Sequence, residues 1–299
     1  MVELIVTMLI SLALLSAVAS LYLGGKASYR LTQDGLRLQQ DGRFAMQLME
    51  SNLRQAGFGH LSSASMEAAE VDRTDFVSPD GKPGQGLRGC DVGFVKPMSA
   101  PFDFACKGGA GSAGFEVAYR VADTFDSDSG AGADCNGARA GSITLPESHP
   151  AYNAGRQVYI AANRFFVATP SGAKTPSLYC HGNGGNIVQP ILDNVENMRL
   201  TFGVAGIDGY SVQQFLTAAQ VDSLSPDQHQ NWKRVIRVKL CLQLYSSQPV
   251  SAEPQPYVDC DGVAQLAKDN KLRAVMTSII TLRNNATASL TDTRSGGVP

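Results

Sequence analysis

Glu3 is an ionisable side chain at the threshold of an uncharged apolar run, Leu4 to Leu23. Two chemistries are open to such a carboxylate. It can sit among lipid headgroups at a helix N-terminus, where the helix dipole favours it. It can instead pair with a cation when the apolar segment packs into a protein bundle, since a buried carboxylate is costly unless paired. A second set of candidates is the cysteines, Cys90, Cys106, Cys135, Cys180, Cys241 and Cys260, all beyond the apolar run and none in a CxxC spacing. Zinc sites display close Cys or Cys/His pairs, so three disulfides in an oxidising compartment are expected instead. Cys241 with Cys260 is the preferred pair, because a strand and its following loop can bring them together. Closing a ring of that size stabilises by about 3 kcal/mol.

Asp126-Ser127-Asp128-Ser129-Gly130, followed by Asp134, alternates carboxylates on a glycine-rich loop and is a weak candidate for Ca²⁺. The glycine falls one place early for an EF-hand loop and no glutamate closes it, so a solvated acidic turn is the competing reading. Gly109-x-Gly111-x-x-Gly114 fits a dinucleotide fingerprint, but it leads into the strand-like Phe115-Glu116-Val117 where phosphate binding needs a helix. A loop is expected there. His60, His149, His181 and His229 are scattered, without spaced carboxylate or cysteine partners. Arg164-Phe165-Phe166 and Trp232-Lys233-Arg234 could stack and hold single-stranded nucleic acid. Ordinary strand packing explains them better in a chain of net charge -2 and pI near 6.1. No P-loop, nucleophile elbow or zinc-protease motif occurs. The residues therefore assemble no catalytic constellation, and an enzyme is not expected.

The elements that position these residues follow from the patterning. Leu4 to Leu23 is apolar all round and long enough to cross a bilayer as a helix. Thr7, Ser11, Ala13, Ser16, Ala17, Ala19 and Ser20 are small residues of the kind that let membrane helices approach closely. Gly24-Gly25 weakens the helix and suggests a hinge. From Lys26 to Ala56 helical spacing returns, with Leu31, Gly35, Leu38, Gly42, Ala45, Met49 and Asn52 as a packing seam. Phe44, Leu48 and Leu53 broaden it, and Gly57-Phe58-Gly59 supplies the stop.

Residues 60–114 read mostly as loop, with turns at Pro79-Asp80-Gly81 and Pro83-Gly84. Strands are expected over Phe115 to Val121, Arg156 to Ala162, Arg164 to Thr169, Val195 to Val204, Lys233 to Tyr245 and Leu272 to Arg283. In the fifth, Ile236, Val238, Leu240, Leu242 and Leu244 form one apolar face while Arg237, Lys239, Cys241 and Gln243 point away. A proline-rich connection, Pro249 through Pro256, joins the last two. The organisation is α+β: residues 1–56 as a hydrophobic then amphipathic helix, and residues 57–299 as a β-rich, disulfide-bearing head. Lys26 and Arg30 follow the apolar run, which by the positive-inside tendency would leave the head in the cytoplasm. The cysteines argue for the other side, and a short basic leader before Met1 reconciles the two.

Met1-Val2-Glu3-Leu4-Ile5-Val6 resembles the stretch around the glutamate of class III prepilins, whose mature form begins Phe-x-x-x-Glu after a cleaved glycine. On that resemblance Glu3 is the fifth mature residue, and the leader, the glycine and the phenylalanine lie upstream. Ser28-Tyr29-Arg30 through Gly57-Phe58, with Gln40-Asp41-Gly42-Arg43-Phe44-Ala45 at its centre, is similar to the PilW-type minor pilins. So are Val235 to Leu242 and the closing Leu272-Arg273-Ala274-Val275 to Leu282-Arg283-Asn284. The middle of the chain shows no such likeness.

The resemblance implies a pilin-like fold, with the long helix in the membrane and then in the filament core and the β head outside. It implies a structural subunit needed for type IV pilus assembly or priming, and through it for twitching motility, adhesion and DNA uptake. Glu3 would pair with the methylated terminal amine of an adjacent subunit and set axial register. Implied partners are other minor pilins and the major pilin, the inner-membrane assembly platform, the prepilin peptidase, and membrane lipid before assembly. The implied location is the bacterial inner membrane with a periplasmic head, then the cell-surface pilus. No cofactor is implied beyond the weak Ca²⁺ candidate. A type II secretion pseudopilin shares the same physics, and a membrane-tethered adhesin or DNA-binding receptor is the alternative from another class.

Overall fold

The computed structural model describes residues 2–59, 76–77, 83–84, 86–101, 103–144, 157–170, 172–185, 188–206, 209, 211–251 and 253–285. His60, His149 and the turn at Pro79-Asp80-Gly81 lie outside these residues. The chain begins with one helix, α1 (Val2–Gln55), which runs without interruption through Gly24-Gly25. The expected hinge is therefore absent: two glycines lower helix propensity but leave every backbone hydrogen bond available, and no proline removes one. The helix ends where Gly57 turns to φ +71°, the left-handed conformation that favours glycine at this cap position, and its N–H donates to the Ala118 carbonyl at 2.9 Å.

The head contains fourteen strands among the described residues. They are β1 (Phe76–Val77), β2 (Pro83–Gly84), β3 (Leu87–Cys90), β4 (Gly114–Arg120), β5 (Gly141–Thr144), β6 (Gln157–Ala168) and β7 (Ser177–Gly182). Then come β8 (Val188–Asp193), β9 (Val195–Ala205), β10 (Val212–Leu216), β11 (Val235–Tyr245), β12 (Gln255–Val258), β13 (Ala264–Ala267) and β14 (Arg273–Thr281). Two short helices, α2 (Ala218–Asp222) and α3 (Gln228–Lys233), separate β10 from β11. One antiparallel sheet has the order β3-β4-β6-β7-β8, with β5 also on β6; a second has the order β10-β9-β11-β14. Both sheets and the second half of α1 share one core, in which Met49 and Leu53 meet residues such as Phe115, Phe165, Met198, Phe202 and Leu242.

Several boundaries differ from expectation for identifiable reasons. The two strands expected on either side of Asn163 are one continuous strand, β6, because the Asn163 side chain finds buried partners and does not break the run. Trp232 and Lys233 belong to α3, capped by the Asp227 side chain, so β11 starts only at Val235. Residues 60–114, expected mostly as loop, include the short strand β3, which pairs with β4.

The proline-rich connection between β11 and β14 holds the hairpin β12–β13. That hairpin explains another departure: Cys241 and Gln243 lie on the outward face of β11 as the alternation requires, yet both are buried. Cys241 is tied to Cys260 at the hairpin turn, and Gln243 Nε2 donates to Glu196 Oε2 at 2.7 Å.

Candidate assembly interface

The first half of α1 stands clear of the head. Its apolar residues from Val2 to Leu23 are exposed, and its most apolar window has a mean hydropathy of 2.5 with none of it buried. Among the described residues this is the one helix long and apolar enough to cross a membrane. Its hydroxyls are satisfied within the helix. Thr7 Oγ1 donates to the Leu4 carbonyl at 3.0 Å, and Ser11, Ser16 and Ser20 each donate to a preceding carbonyl at 2.8 Å. Bonded this way, the hydroxyls enter an apolar environment without the cost of unpaired polar groups. Glu3 lies in the first turn, at the positive end of the helix dipole.

The second half of α1 is locked into the head. Leu38, Gly42, Ala45, Met49, Asn52 and Leu53 of the expected seam are buried, joined by Met46. Leu31 and Phe44 face solvent instead. At Gly42 the helix comes so close to the four-stranded sheet that a Cβ would lie 2.6 Å from Met276 Sδ and 2.8 Å from Leu244 Cδ1. Further along, Tyr119 Oη donates to Asn52 Oδ1 at 3.0 Å, and Asn163 Nδ2 donates to the same oxygen at 2.7 Å and to Tyr119 Oη at 3.1 Å. Burial pushes the Tyr119 phenol up to about 12. Asn284 Nδ2, just beyond β14, donates to the Ala56 carbonyl at 3.0 Å and closes the C-terminal end of the helix. Asn52 is legible as a seam position; its partners Tyr119 and Asn163 carry no sequence signal beyond a polar residue inside an apolar run.

The cysteines form three bonds, Cys90–Cys106, Cys135–Cys180 and Cys241–Cys260. Two of the three candidate Ca²⁺ ligands, Asp126 and Asp134, are engaged in their own turns. Asp126 accepts from Ser129 Oγ at 2.7 Å and from the Asp128 N–H at 3.0 Å. Asp134 is buried and accepts from the N–H groups of Asn136, Ala138 and Gly184. Among the described residues no group of three His, Cys, Asp or Glu side chains could hold a metal. The three aspartates are therefore not gathered into one site, because Asp134 is spent bracing its own turn against β7.

The remaining sequence candidates are structural. Gly109 and Gly111 sit in a loop before β4, not before a helix. His181 is buried on β7, and His229 lies on α3. The Arg-aromatic clusters turn inward: Arg164, Phe165, Phe166 and Trp232 are all buried. Arg164 is ion-paired to Glu116 at 2.8 Å and donates to the Ser99 carbonyl at 3.1 Å and the Asp103 carbonyl at 2.9 Å. It thereby pins the loop closed by Cys90–Cys106 onto the outer face of the first sheet. Trp232 Nε1 donates to Asp222 Oδ1 at 2.7 Å.

The chain thus combines a bare apolar half-helix, continuous with a half that is bonded into a disulfide-bearing β head. Residues 164–284, from β6 to just past β14, match the PilW family, described as Type IV Pilus-assembly protein W. The chain is thus similar to that family over its C-terminal portion, as the resemblance of its last segments implies. Among solved structures, a type IV-like pilin from Thermus thermophilus is similar with 12% identity and a TM-score of 0.41, over 84% of this chain and 98% of that one. No curated protein matches the sequence.

Proposed function

We propose that this protein is a non-enzymatic minor pilin: a membrane-stored subunit that enters a type IV pilus through α1 and presents its head outside the filament core. The observation that carries this reading is the unbroken α1, whose exposed apolar half is rigidly coupled to a half locked in the head. A subunit whose helix must dock among others needs such rigidity, and a mere tether does not. The similarity of residues 164–284 to a pilus-assembly family supports the same machine. Glu3 then pairs with the terminal amine of an adjacent subunit and fixes axial register. Its partners are other minor pilins, the major pilin, the assembly platform and the prepilin peptidase. The head lies in the periplasm, where three disulfides persist, before export to the surface. Twitching, adhesion and DNA uptake follow from the pilus and not from chemistry in the head.

The test is the yield of sheared surface pili in a deletion strain complemented with wild type or Glu3→Ala. Wild type should restore pili, whereas Glu3→Ala should stay in the membrane and restore none. Normal pili in the deletion would transfer the protein to a secretion pseudopilus, and full activity of Glu3→Ala would make α1 a simple anchor.

A further inference from the structure

The edge of a β-sheet can accept another chain, and proteins guard such edges with short strands, bulges, prolines and charges. Among the described residues, the two large sheets guard every edge but one. β3 and β5 are each four residues long. β8 carries Pro190, and its register against β7 shifts between Leu178 and Tyr179. β10 has five residues and a register shift between Val212 and Gln214. β14 has nine residues and pairs with β11 in one unbroken register, from Thr281 opposite Arg237 to Arg273 opposite Tyr245. From Ala274 to Thr281 it holds neither a charge nor a proline. Its other edge pairs with no strand among the described residues.

The two ends of the β11–β14 ladder fix the direction of the unpaired backbone groups. The Leu282 N–H donates to the Ile236 carbonyl and the Ser246 N–H to the Leu272 carbonyl, both at 2.9 Å. Bonded and non-bonded pairs alternate along an antiparallel ladder. Ala274, Met276, Ser278 and Ile280 therefore bond to β11, while the N–H and C=O groups of Val275, Thr277, Ile279 and Thr281 point out from the free edge. On the side of the sheet away from α1, Thr277, Ile279 and Thr281 are exposed, Ile279 by 57%. On the side facing α1, Ala274 and Met276 are only half-buried against the core. An added strand thus meets unpaired backbone groups along its edge and apolar or β-branched side chains on both of its faces.

We propose that β14 accepts an extended, uncharged segment of a partner protein as the next strand of the four-stranded sheet. The repeating backbone groups select a polypeptide, because another extended chain presents N–H and C=O groups at the same spacing. Thr277, Ile279 and Thr281 favour β-branched or aliphatic neighbours in cross-strand pairs. With no charge between Ala274 and Thr281, nothing on the edge selects a charged segment. The direction of α1 argues against a second copy offering its own β14 antiparallel. The helix runs alongside β14 in the same direction, from Gly35 near Leu272, past Gly42 beside Met276, to the Ala56 carbonyl bonded by Asn284. Antiparallel pairing of two β14 strands would point the two apolar half-helices in opposite directions, so that both could not enter one bilayer. Strand addition is measured on the purified chain, so its outcome is independent of whether the protein enters a pilus.

The experiment uses the full-length protein in detergent micelles and a dye-labelled peptide, Lys-Lys-Thr-Val-Thr-Leu-Thr-Val, with a twin N-methylated throughout the Thr-Val-Thr-Leu-Thr-Val part. Fluorescence anisotropy should show the peptide binding at least about tenfold tighter than the twin, which cannot donate backbone hydrogen bonds. Thr277→Pro removes one outward N–H and no bond to β11, a place where an edge strand tolerates proline. That variant, and separately Ile279→Lys, should melt as wild type does and lose the preference for the unmethylated peptide. Amide exchange gives a second readout. The N–H groups of Val275, Thr277 and Ile279 should exchange fast in the free protein and slowly with the peptide bound, while those of Ala274, Met276 and Ser278 stay protected in both. No binding, equal binding of the twin, or retained preference in both variants would overturn the proposal. Outward amides already protected in the free protein would also overturn it, since the edge would then be covered without the peptide. A dimer dissolved by Thr277→Pro would do so in favour of a second copy.

Discussion

Asn163, in the middle of β6, donates its Nδ2 to the Oδ1 of Asn52 on α1 at 2.7 Å, so that the head holds the helix through one buried amide pair. The pair lies among apolar side chains and shares its acceptor oxygen with Tyr119 Oη. Truncating either amide leaves buried polar groups without a partner, which costs about 1–3 kcal/mol. Asn163→Ala and Asn52→Ala should each lower the stability of the full chain in detergent by about that amount in urea titrations. Because both remove the same contact, the double variant should lose less than the sum. Additive losses would show that the amides act separately.

Tyr119 gives this junction a pH signature. Its phenol has an ordinary value of 10.0 and is pushed up to about 12, chiefly by burial. The folded state therefore retains the proton that the unfolded state releases first. The stabilisation is complete below about pH 10 and is lost as pH rises through the folded value. A tenfold difference in acidity between the two states corresponds to about 1.4 kcal/mol, so the loss between pH 10 and 12 is about 2–3 kcal/mol. Stability measured across that window should fall more steeply for wild type than for Tyr119→Phe, and equal slopes would remove Tyr119 as the cause.

Arg164 and Glu116 form a buried pair at 2.8 Å, and the guanidinium also lies 4.6 Å above the Phe94 ring. Removing one partner of such a pair is far costlier than replacing both, because a charge remains in the interior. Arg164→Met should destabilise the head by about 3–5 kcal/mol and expose the loop between Lys96 and Asp103 to proteolysis, since the carbonyls of that loop lose their donor. Adding Glu116→Gln should recover part of the stability but not the protection of the loop. Protection restored by the second substitution would mean that the loop is held by its disulfide alone.

How far the sequence discloses this molecule depends on whether a residue's role is local. The apolar run, the seam from Leu38 to Leu53, the glycine stop and the alternation in β11 are periodic, and periodicity survives in a single chain. Pairing of Cys241 with Cys260 is legible because the intervening segment is short. The roles of Asn163, Arg164 and Asp134 are not legible, because each is set by partners far away in sequence: Asn52, Glu116 with the Ser99 loop, and Gly184. The carboxylates at Asp126, Asp128 and Asp134 suggest a metal only while their directions are unknown. Likewise, the hairpin β12–β13 hides behind prolines that usually mark a plain connection.

Gly42 and Gly24 sit on the same helix but in opposite settings, and this contrast separates packing from propensity. A Cβ at Gly42 would collide with Met276 and Leu244, whereas one at Gly24 would meet nothing within 4 Å. Leucine has a better helix propensity than glycine, so propensity alone would make both Gly→Leu substitutions stabilising. Overpacking a close contact costs about 1–3 kcal/mol, more than propensity returns. Gly42→Leu should therefore lower the thermal midpoint of the head, while Gly24→Leu should leave it unchanged. A stable Gly42→Leu variant would mean that α1 can lift from the sheet at this point. The rigid coupling of the apolar half-helix to the head would then have to come from the Met49–Leu53 packing and the Asn52 junction beyond it.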